Sequence, residues 1–270
     1  MSYLKEKIPL AQALLVIVIA TIAISGMTAA WWSYYLYNAK KNSTNPRYAI
    51  TTIQQKSTTN EDLPTQYLAE CLGISSDIVT NIYALDTEKA EEALMNSPAI
   101  KEARVTKEFT ETLFVEYTMY TPYALLADVE NTAIDDECTP FPITPYYTAK
   151  KLPKIYLGID DEEKFSWKKP LTMKTVPLAI DIQKILMPYH LEGIFAVLCI
   201  DTSNAYNTSY GKREIVVTLH ESGSERLLRL TSEEYQQQIQ NYMLLRETLS
   251  EENVAIIDMR VPQLAFFKGM

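Results

Sequence analysis

No charged residue lies between Lys7 and Lys40. The run IPLAQALLVIVIATIAISGMTAAWWSYYLY exceeds the ~20 apolar residues that take a helix across a bilayer. It ends in Trp31, Trp32, Tyr34, Tyr35 and Tyr37, amphipathic rings of the kind that gather at the membrane–water interface. The competing reading is a cleaved signal peptide, for which Thr28-Ala29-Ala30 before Trp31 offers a loose cleavage site. The run is longer than an ordinary signal h-region. The expectation is therefore a stub over 1–7, a transmembrane helix over 8–38 and a polar linker over 39–47 that ends KKNSTNPR. Lys5 and Lys7 flank one side, and Lys40, Lys41 and Arg47 the other, so counting basic residues does not orient the helix. A short leading stub before a long remainder reads as a signal anchor, with a cytoplasmic N-terminus and the rest outside the cytoplasmic membrane.

Composition narrows what that outer region does. Apolar residues make up 47% of the chain, enough to build cores, and the formal net charge is −9. No basic stripe is present, which argues against a nucleic-acid partner. Only seven glycines occur, and neither G-x-G-x-x-G nor G-x-x-x-x-G-K is found, so no phosphate-cradling loop or small-molecule substrate site is indicated. Cys71, Cys138 and Cys199 lack C-x-x-C spacing. Cys71 and Cys199 fall on apolar faces and read as buried thiols, whereas Cys138 falls in a loop. His220 lies beside Glu221, Ser222 and Ser224, but a nucleophile is defined by its geometry with a base, and ESGSE reads as a hairpin turn. His190, after Tyr189, suits a helix C-terminus. The acidic run Asp160–Lys164 has no EF-hand pattern and reads as a solvated loop. No cofactor, metal or catalytic residue is expected. NST at Asn42 and NTS at Asn207 match glycosylation sequons, relevant only in a eukaryotic secretory setting.

Hydrophobic periodicity divides the outer region in two, 48–126 and 127–270. The first begins with the strand-like YAITTIQQKS. A helix follows, with Pro64 in its first turn, Gly73 at its C-cap, and Tyr67, Leu68, Cys71 and Leu72 on one face. Asp86 caps a second helix with an Ala90, Ala93, Leu94 stripe, and Pro98 ends it. Two strands follow, the second alternating Leu113, Val115, Tyr117 and Met119 with Thr112, Phe114, Glu116 and Thr118. The order β-α-α-β-β is that of a small α+β module. In the second part, TVPLAIDIQKILMPY reads as a helix with Pro177 at its start and Ile182, Ile185 and Leu186 on its apolar side. GIFAVLCIDTS, REIVVTLHES and ERLLRLT read as strands. SEEYQQQIQNYMLLRETLS reads as an amphipathic helix capped by Ser232, with Tyr235, Ile239, Tyr242, Met243 and Leu249 on one side. The expected fold class is α+β, with a mostly antiparallel β domain and flanking helices.

The stretch from Asn81 to Asp128 resembles the POTRA domain of the FtsQ/DivIB cell-division proteins. Asn81, Tyr83 and Asp86 match the pattern before the second helix. Pro98, Ile100, Ala103 and Val105 match the next turn and strand, Leu113 and Val115 the second strand, and Pro122 and Ala124 its close. Thr110 stands where that family usually has proline, and Met119 where it has glutamate, as in a divergent member. NTAIDDECTPF is similar to the next hairpin of the family, with Cys138 at a glycine position. KKLPKIYLGI is similar to a following strand, and Ile257-Asp258-Met259-Arg260 to a motif near the end. The resemblance implies a non-enzymatic scaffold of the bacterial divisome at the septum, anchored by one helix in the cytoplasmic (inner) membrane. Its implied partners are FtsB/DivIC-like and FtsL-like membrane proteins. Other POTRA-bearing scaffolds of envelope assembly or secretion, and a membrane-anchored envelope hydrolase, are the competing readings.

The chain ends AIIDMRVPQLAFFKGM. Ile257, Met259 and Val261 would share one face of a strand, and Asp258 and Arg260 the other, until Pro262 breaks it. Such a terminal strand belongs at a sheet edge, where a peptide can add. The resemblance implies that this edge receives the FtsB/DivIC-like partner, with Val261 where tyrosine is usual. Arg260, Val261, Leu264, Phe266 and Phe267 are the candidate partner-binding residues. The competing readings are an arginine paired across the sheet and a tail that packs locally.

Overall fold

The apolar run forms helix α1, Leu10–Ser43, in a computed structural model that describes residues 10–59, 61–75, 79–108, 111–159, 165–221, 223–249 and 254–269. Lys5, Lys7, Thr110, the acidic run 160–164 and Ser222 lie outside the described residues. At 1.5 Å per residue the helix is about 50 Å long, longer than a hydrocarbon core is thick. Its side chains from Leu14 through the Trp31–Tyr37 cluster are exposed, as lipid-facing residues must be. Among the described residues this is the one helix long and apolar enough to cross a membrane. The helix continues through Lys40 and Lys41, so half of the stretch expected as linker is helical.

The chain divides into two compact units. One holds the chain up to Lys56 with Pro64–Ala93 and Arg104–Val115; the other holds Ser57–Leu63, Leu94–Ala103 and everything from Glu116. A three-stranded sheet consists of β1 (Thr52–Ser57), β2 (Ile100–Glu108) and β3 (Thr112–Met119), in the order β1-β3-β2. The central strand carries the clearest alternation in the sequence. Leu113, Val115, Tyr117 and Met119 are all buried, and their neighbours are half-buried. Helix α2 (Thr65–Cys71) starts after Pro64 and stops at Gly73, whose φ of 65° favours glycine. Helix α3 (Thr87–Met95) has Asp86 accepting the Lys89 N–H at 3.4 Å. Within the first unit, Glu91 on α3 accepts the Val105 N–H of β2 at 2.9 Å.

The second unit is dominated by a nine-stranded sheet. Its short strands β4 (Ala124–Leu126), β5 (Thr132–Ile134), β6 (Pro140–Pro142) and β7 (Lys154–Tyr156) lead to β8 (Ala196–Asp201), β9 (Ile215–Glu221), β10 (Ser224–Leu230), β11 (Val254–Asp258) and β12 (Phe266–Gly269). The order is β12-β11-β10-β9-β8-β7-β4-β5-β6. Most neighbours are antiparallel, and two of the parallel pairs have a helix between their strands, as parallel crossovers require. Helix α4 (Thr175–Leu191) joins β7 to β8, and helix α5 (Tyr235–Leu249) joins β10 to β11. One core runs beneath them, with Ile215, Val217 and Leu219 of β9, Leu228 and Leu230 of β10, Ile182 and Leu186 of α4, and Ile239 and Tyr242 of α5 all sealed from solvent.

Several local expectations take a different form. The Ser232 hydroxyl donates to the Ala205 carbonyl at 3.4 Å, and it is the Thr231 hydroxyl that accepts the Glu234 N–H ahead of α5. All three cysteines are free and half-buried, Cys138 included. Cys138 sits in the β5–β6 hairpin at φ 66°, a left-handed position, which explains why it occupies a glycine position of the resembling pattern. Asp135 fixes that hairpin by accepting the N–H groups of Glu137 at 3.0 Å and Thr139 at 2.7 Å.

Candidate partner-binding edge

The last hydrophobic run forms two strands where one was expected. β11 stops at Asp258 and is paired on both sides, parallel to β10 and antiparallel to β12. β11 is therefore internal, and the sheet edge passes to Phe266–Gly269. The reversal is a tight turn in which the Leu264 N–H donates to the Val261 carbonyl at 3.1 Å. Pro262 supplies the fixed φ at the first corner, and Gln263 takes φ 62° at the second, the pattern of a type II turn. A proline that ends a strand also starts a turn, and the tail behind it had enough apolar residues to form one more strand.

The turn also splits the face expected to be continuous. Ile257 and Met259 are buried, but Val261 has swung out to 44% exposure. Leu264 is 57% exposed, Phe266 54% and Phe267 46%. Four of the five candidate residues are thus large apolar side chains open to solvent around one edge. Strand alternation sends the two phenylalanines to different places. Phe267 lines a groove of about 1100 Å³ between the turn and α5, together with Val261 and Leu264 from one side and Leu244 and Leu245 from the other. Phe266 borders a smaller hollow of about 490 Å³ beside Arg260, Arg213 and Tyr210. Leu244, at 79% exposure, is the functional candidate that sequence reasoning passed over. Its signal was present: it is a leucine outside the apolar stripe of α5.

The fifth candidate, Arg260, is differently placed. Its guanidinium grips Asp258 in a forked arrangement, Nε to Oδ1 at 2.9 Å and Nη2 to Oδ2 at 2.7 Å. Nη1 also stands 3.4 Å from Glu214 Oε2. Arg229 of β10, opposite Asp258 in register, reaches the same two acids through Nε to Glu214 at 2.7 Å and Nη1 to Asp258 at 3.3 Å. Burial opposes the charged form of Asp258, but the Arg260 hydrogen bonds and the two guanidinium charges outweigh it and hold its pKa below the usual carboxylate value. The Asp258 hydrogen bond in turn holds Arg260 above its ordinary value. Arg260 thus holds Asp258 two residues upstream and reaches Glu214, and it braces the start of the turn.

The opposite edge of the sheet is closed by other means. β6 is Pro140-Phe141-Pro142, and neither proline has an N–H to offer an added strand. The Pro140 carbonyl already accepts the Lys168 N–H at 2.9 Å. β12 has no such protection, so its backbone edge is the one suited to strand addition.

The histidine with acidic and serine neighbours is not assembled into a site. His220 is exposed, while Glu221 points to the other side of β9 and is buried. Its carboxylate accepts from Arg226 Nη1, Tyr242 Oη and Arg246 Nε, each at 2.9 Å. His190, in the last turn of α4, has its Nδ1 3.4 Å from the Val197 N–H. Among the described residues no cluster of His, Cys, Asp or Glu could hold a metal ion.

An N-terminal apolar helix that suggests single-pass membrane anchoring is followed by a small β-α-α-β-β module of POTRA type and a large mixed sheet. Residues 57–116 match the family model described as POTRA domain, FtsQ-type. With the N-terminal apolar helix, that match fits an FtsQ/DivIB-like protein. No curated protein matches the chain.

Proposed function

We propose that this chain is a non-enzymatic, single-pass scaffold of the bacterial divisome. It stands in the cytoplasmic membrane at the division site with its C-terminal region outside, and docking on its POTRA and β domains helps control septal peptidoglycan synthesis. The FtsQ-type POTRA match supports a division-related scaffold and protein–protein interaction, and that family is generally non-enzymatic. The observation that carries the reading is the β12 edge with Phe266 and Phe267 exposed, Phe267 beside a groove lined by both leucines and polar side chains of α5. The partner assigned to it is an FtsB/DivIC-like membrane protein, an FtsL-like one accompanying it. An extended segment adds to β12 through main-chain hydrogen bonds, and apolar side chains enter the groove.

The test is binding of the full chain in nanodiscs to the extracytoplasmic region of the host's FtsB-like protein. Phe267→Asp and Leu264→Asp put charge on exposed positions that the fold does not need. Each weakens binding at least tenfold with an unchanged circular dichroism spectrum. Unchanged affinity in both removes the edge from the interaction, and no binding by the wild type removes this partner.

A further inference from the structure

The membrane helix does not end in a free tether. Asn81 donates from its side-chain amide to the carbonyls of Asn42 at 3.0 Å and Asn45 at 2.8 Å. Its Oδ1 accepts the Tyr83 N–H at 2.9 Å. Isolated bridge pairing of Ala49 with Asn81, the Ile82 N–H to the Tyr48 carbonyl at 2.8 Å and the Ile50 N–H to the Thr80 carbonyl at 2.9 Å extend this clasp. Tyr83 packs edge-on against Tyr48 with ring centroids 4.9 Å apart. All of these residues belong to the first compact unit, together with α1.

The level of the clasp follows from helix geometry. From Tyr37, at the end of the aromatic cluster, to Ser43 the helix rises about 9 Å. The headgroup layer outside the hydrocarbon is roughly 6 Å thick on each side. The carbonyl of Asn42 therefore emerges at the outer surface of the headgroups, and whatever Asn81 ties to it is held there. Around that point Lys40, Lys41 and Arg47 are exposed, and so are Val79, at 73%, and Tyr83, at 47%. Cations beside an exposed aliphatic and an exposed phenol match a bilayer surface: the cations meet anionic headgroups, and the phenol suits the interfacial zone.

We propose that this clasped face, Lys40, Lys41, Arg47, Val79 and Tyr83, docks on the anionic phospholipid surface from which α1 emerges. The Asn81 clasp thereby holds the first outer module at a set angle to the membrane. The proposal rests on the reading of α1 as a membrane span. It is independent of any partner at β12.

The experiment is hydrogen–deuterium exchange of the full chain in nanodiscs of phosphatidylcholine alone and of phosphatidylcholine with 30% phosphatidylglycerol. Peptides covering 44–50 and 79–85 exchange roughly tenfold more slowly in the anionic discs. Charge reversal at Lys40, Lys41 and Arg47 abolishes that difference, although it leaves the Asn81 hydrogen bonds, which use backbone carbonyls, in place. Asn81→Ala, which keeps every cation, also abolishes it. Equal exchange in both lipids, or a difference that survives charge reversal, overturns the proposal and leaves the face to a protein partner. Failure of the chain to incorporate into discs at all overturns the membrane-span reading beneath it.

Discussion

Arg260 and Asp258 are coupled across the start of the terminal turn, and a double-mutant cycle measures that coupling. Exposed ion pairs contribute about 0.2–1 kcal/mol, whereas breaking a buried pair by removing one partner costs about 3–5 kcal/mol. The Asp258–Arg260–Glu214–Arg229 network lies between these limits. Its side chains are largely but not fully buried, and its central contact is a forked one at 2.7 and 2.9 Å. A coupling of about 1–2 kcal/mol is expected. Arg260→Ala removes the forked contact and leaves Asp258 the residue-260 backbone N–H at 3.1 Å and the 3.3 Å contact with Arg229, and Asp258→Asn removes the charge that Arg260 grips. Each single variant lowers the Tm of the outer region by several degrees, at roughly 2–4 °C per kcal/mol for a region of this size. The double variant loses less than the sum of the two. The pH dependence has a definite sign. Asp258 has a lowered pKa in the folded state, so its stabilisation is present above the ordinary value of 3.8 and is lost as pH falls through the folded value. The gap between wild type and Asp258→Asn is therefore constant from pH 7 to about pH 5 and closes below about pH 4. The assay is thermal unfolding of the full chain in detergent across that range. Single effects that add within about 0.5 kcal/mol, or a gap that persists in acid, refute the network.

Two further outcomes follow from buried groups. Arg226→Met takes one of three donors from the Glu221 carboxylate, which keeps Tyr242 and Arg246, and takes a donor from the Leu249 carbonyl, so it destabilises by about 2 kcal/mol, read from urea midpoints. Burial, helped by Asp201 and opposed by Lys154, pushes the Cys199 thiol up to about 11. At pH 8 its native thiolate is therefore scarce, and alkylation followed by mass spectrometry proceeds at least ~100-fold more slowly at Cys199 in the folded chain than after denaturation.

The sequence was legible where one periodicity acted alone. The charge-free run gave α1, and the strict alternation from Leu113 to Met119 gave a strand that proved to be the centre of its sheet. It was less legible where two influences met. At Pro262 the loss of an N–H was visible, but whether the chain would stop or reverse depended on Gln263 accepting a left-handed conformation, which composition alone does not signal. The candidate edge was therefore placed one strand too early, although its apolar residues were the right type for exposure. Arg260 was visible as a charged residue on a strand. Its first acid partner, Asp258, is two residues upstream, but Glu214, just before β9, and the competing Arg229 of β10 are brought to the pair by strand register, which is a long-range property. Likewise, Asn81 stood in a recognisable pattern, but its grip on the end of α1 spans 39 residues of sequence and could not be read locally.

The placement of Arg260 changes what its role in binding must be. An arginine that touches a partner and an arginine that braces the binding edge both weaken binding when replaced, so the single variant does not separate them. The geometry offers a separation through Asp258. If Arg260 met an acidic side chain of the partner, Asp258→Asn would release its guanidinium and leave affinity unchanged or improved. If Arg260 instead holds the turn from Val261 to Leu264 in register, Asp258→Asn loosens that turn and weakens binding about as much as Arg260→Ala does. The second outcome is the expected one. A strand held ready before the partner arrives spares part of the ordering cost of association, and the forked contact to Asp258 lies at the residue where β11 ends and the turn toward β12 begins. Matched losses in the two variants, with Phe267→Asp producing a larger one, assign positioning to Arg260 and contact to the apolar edge.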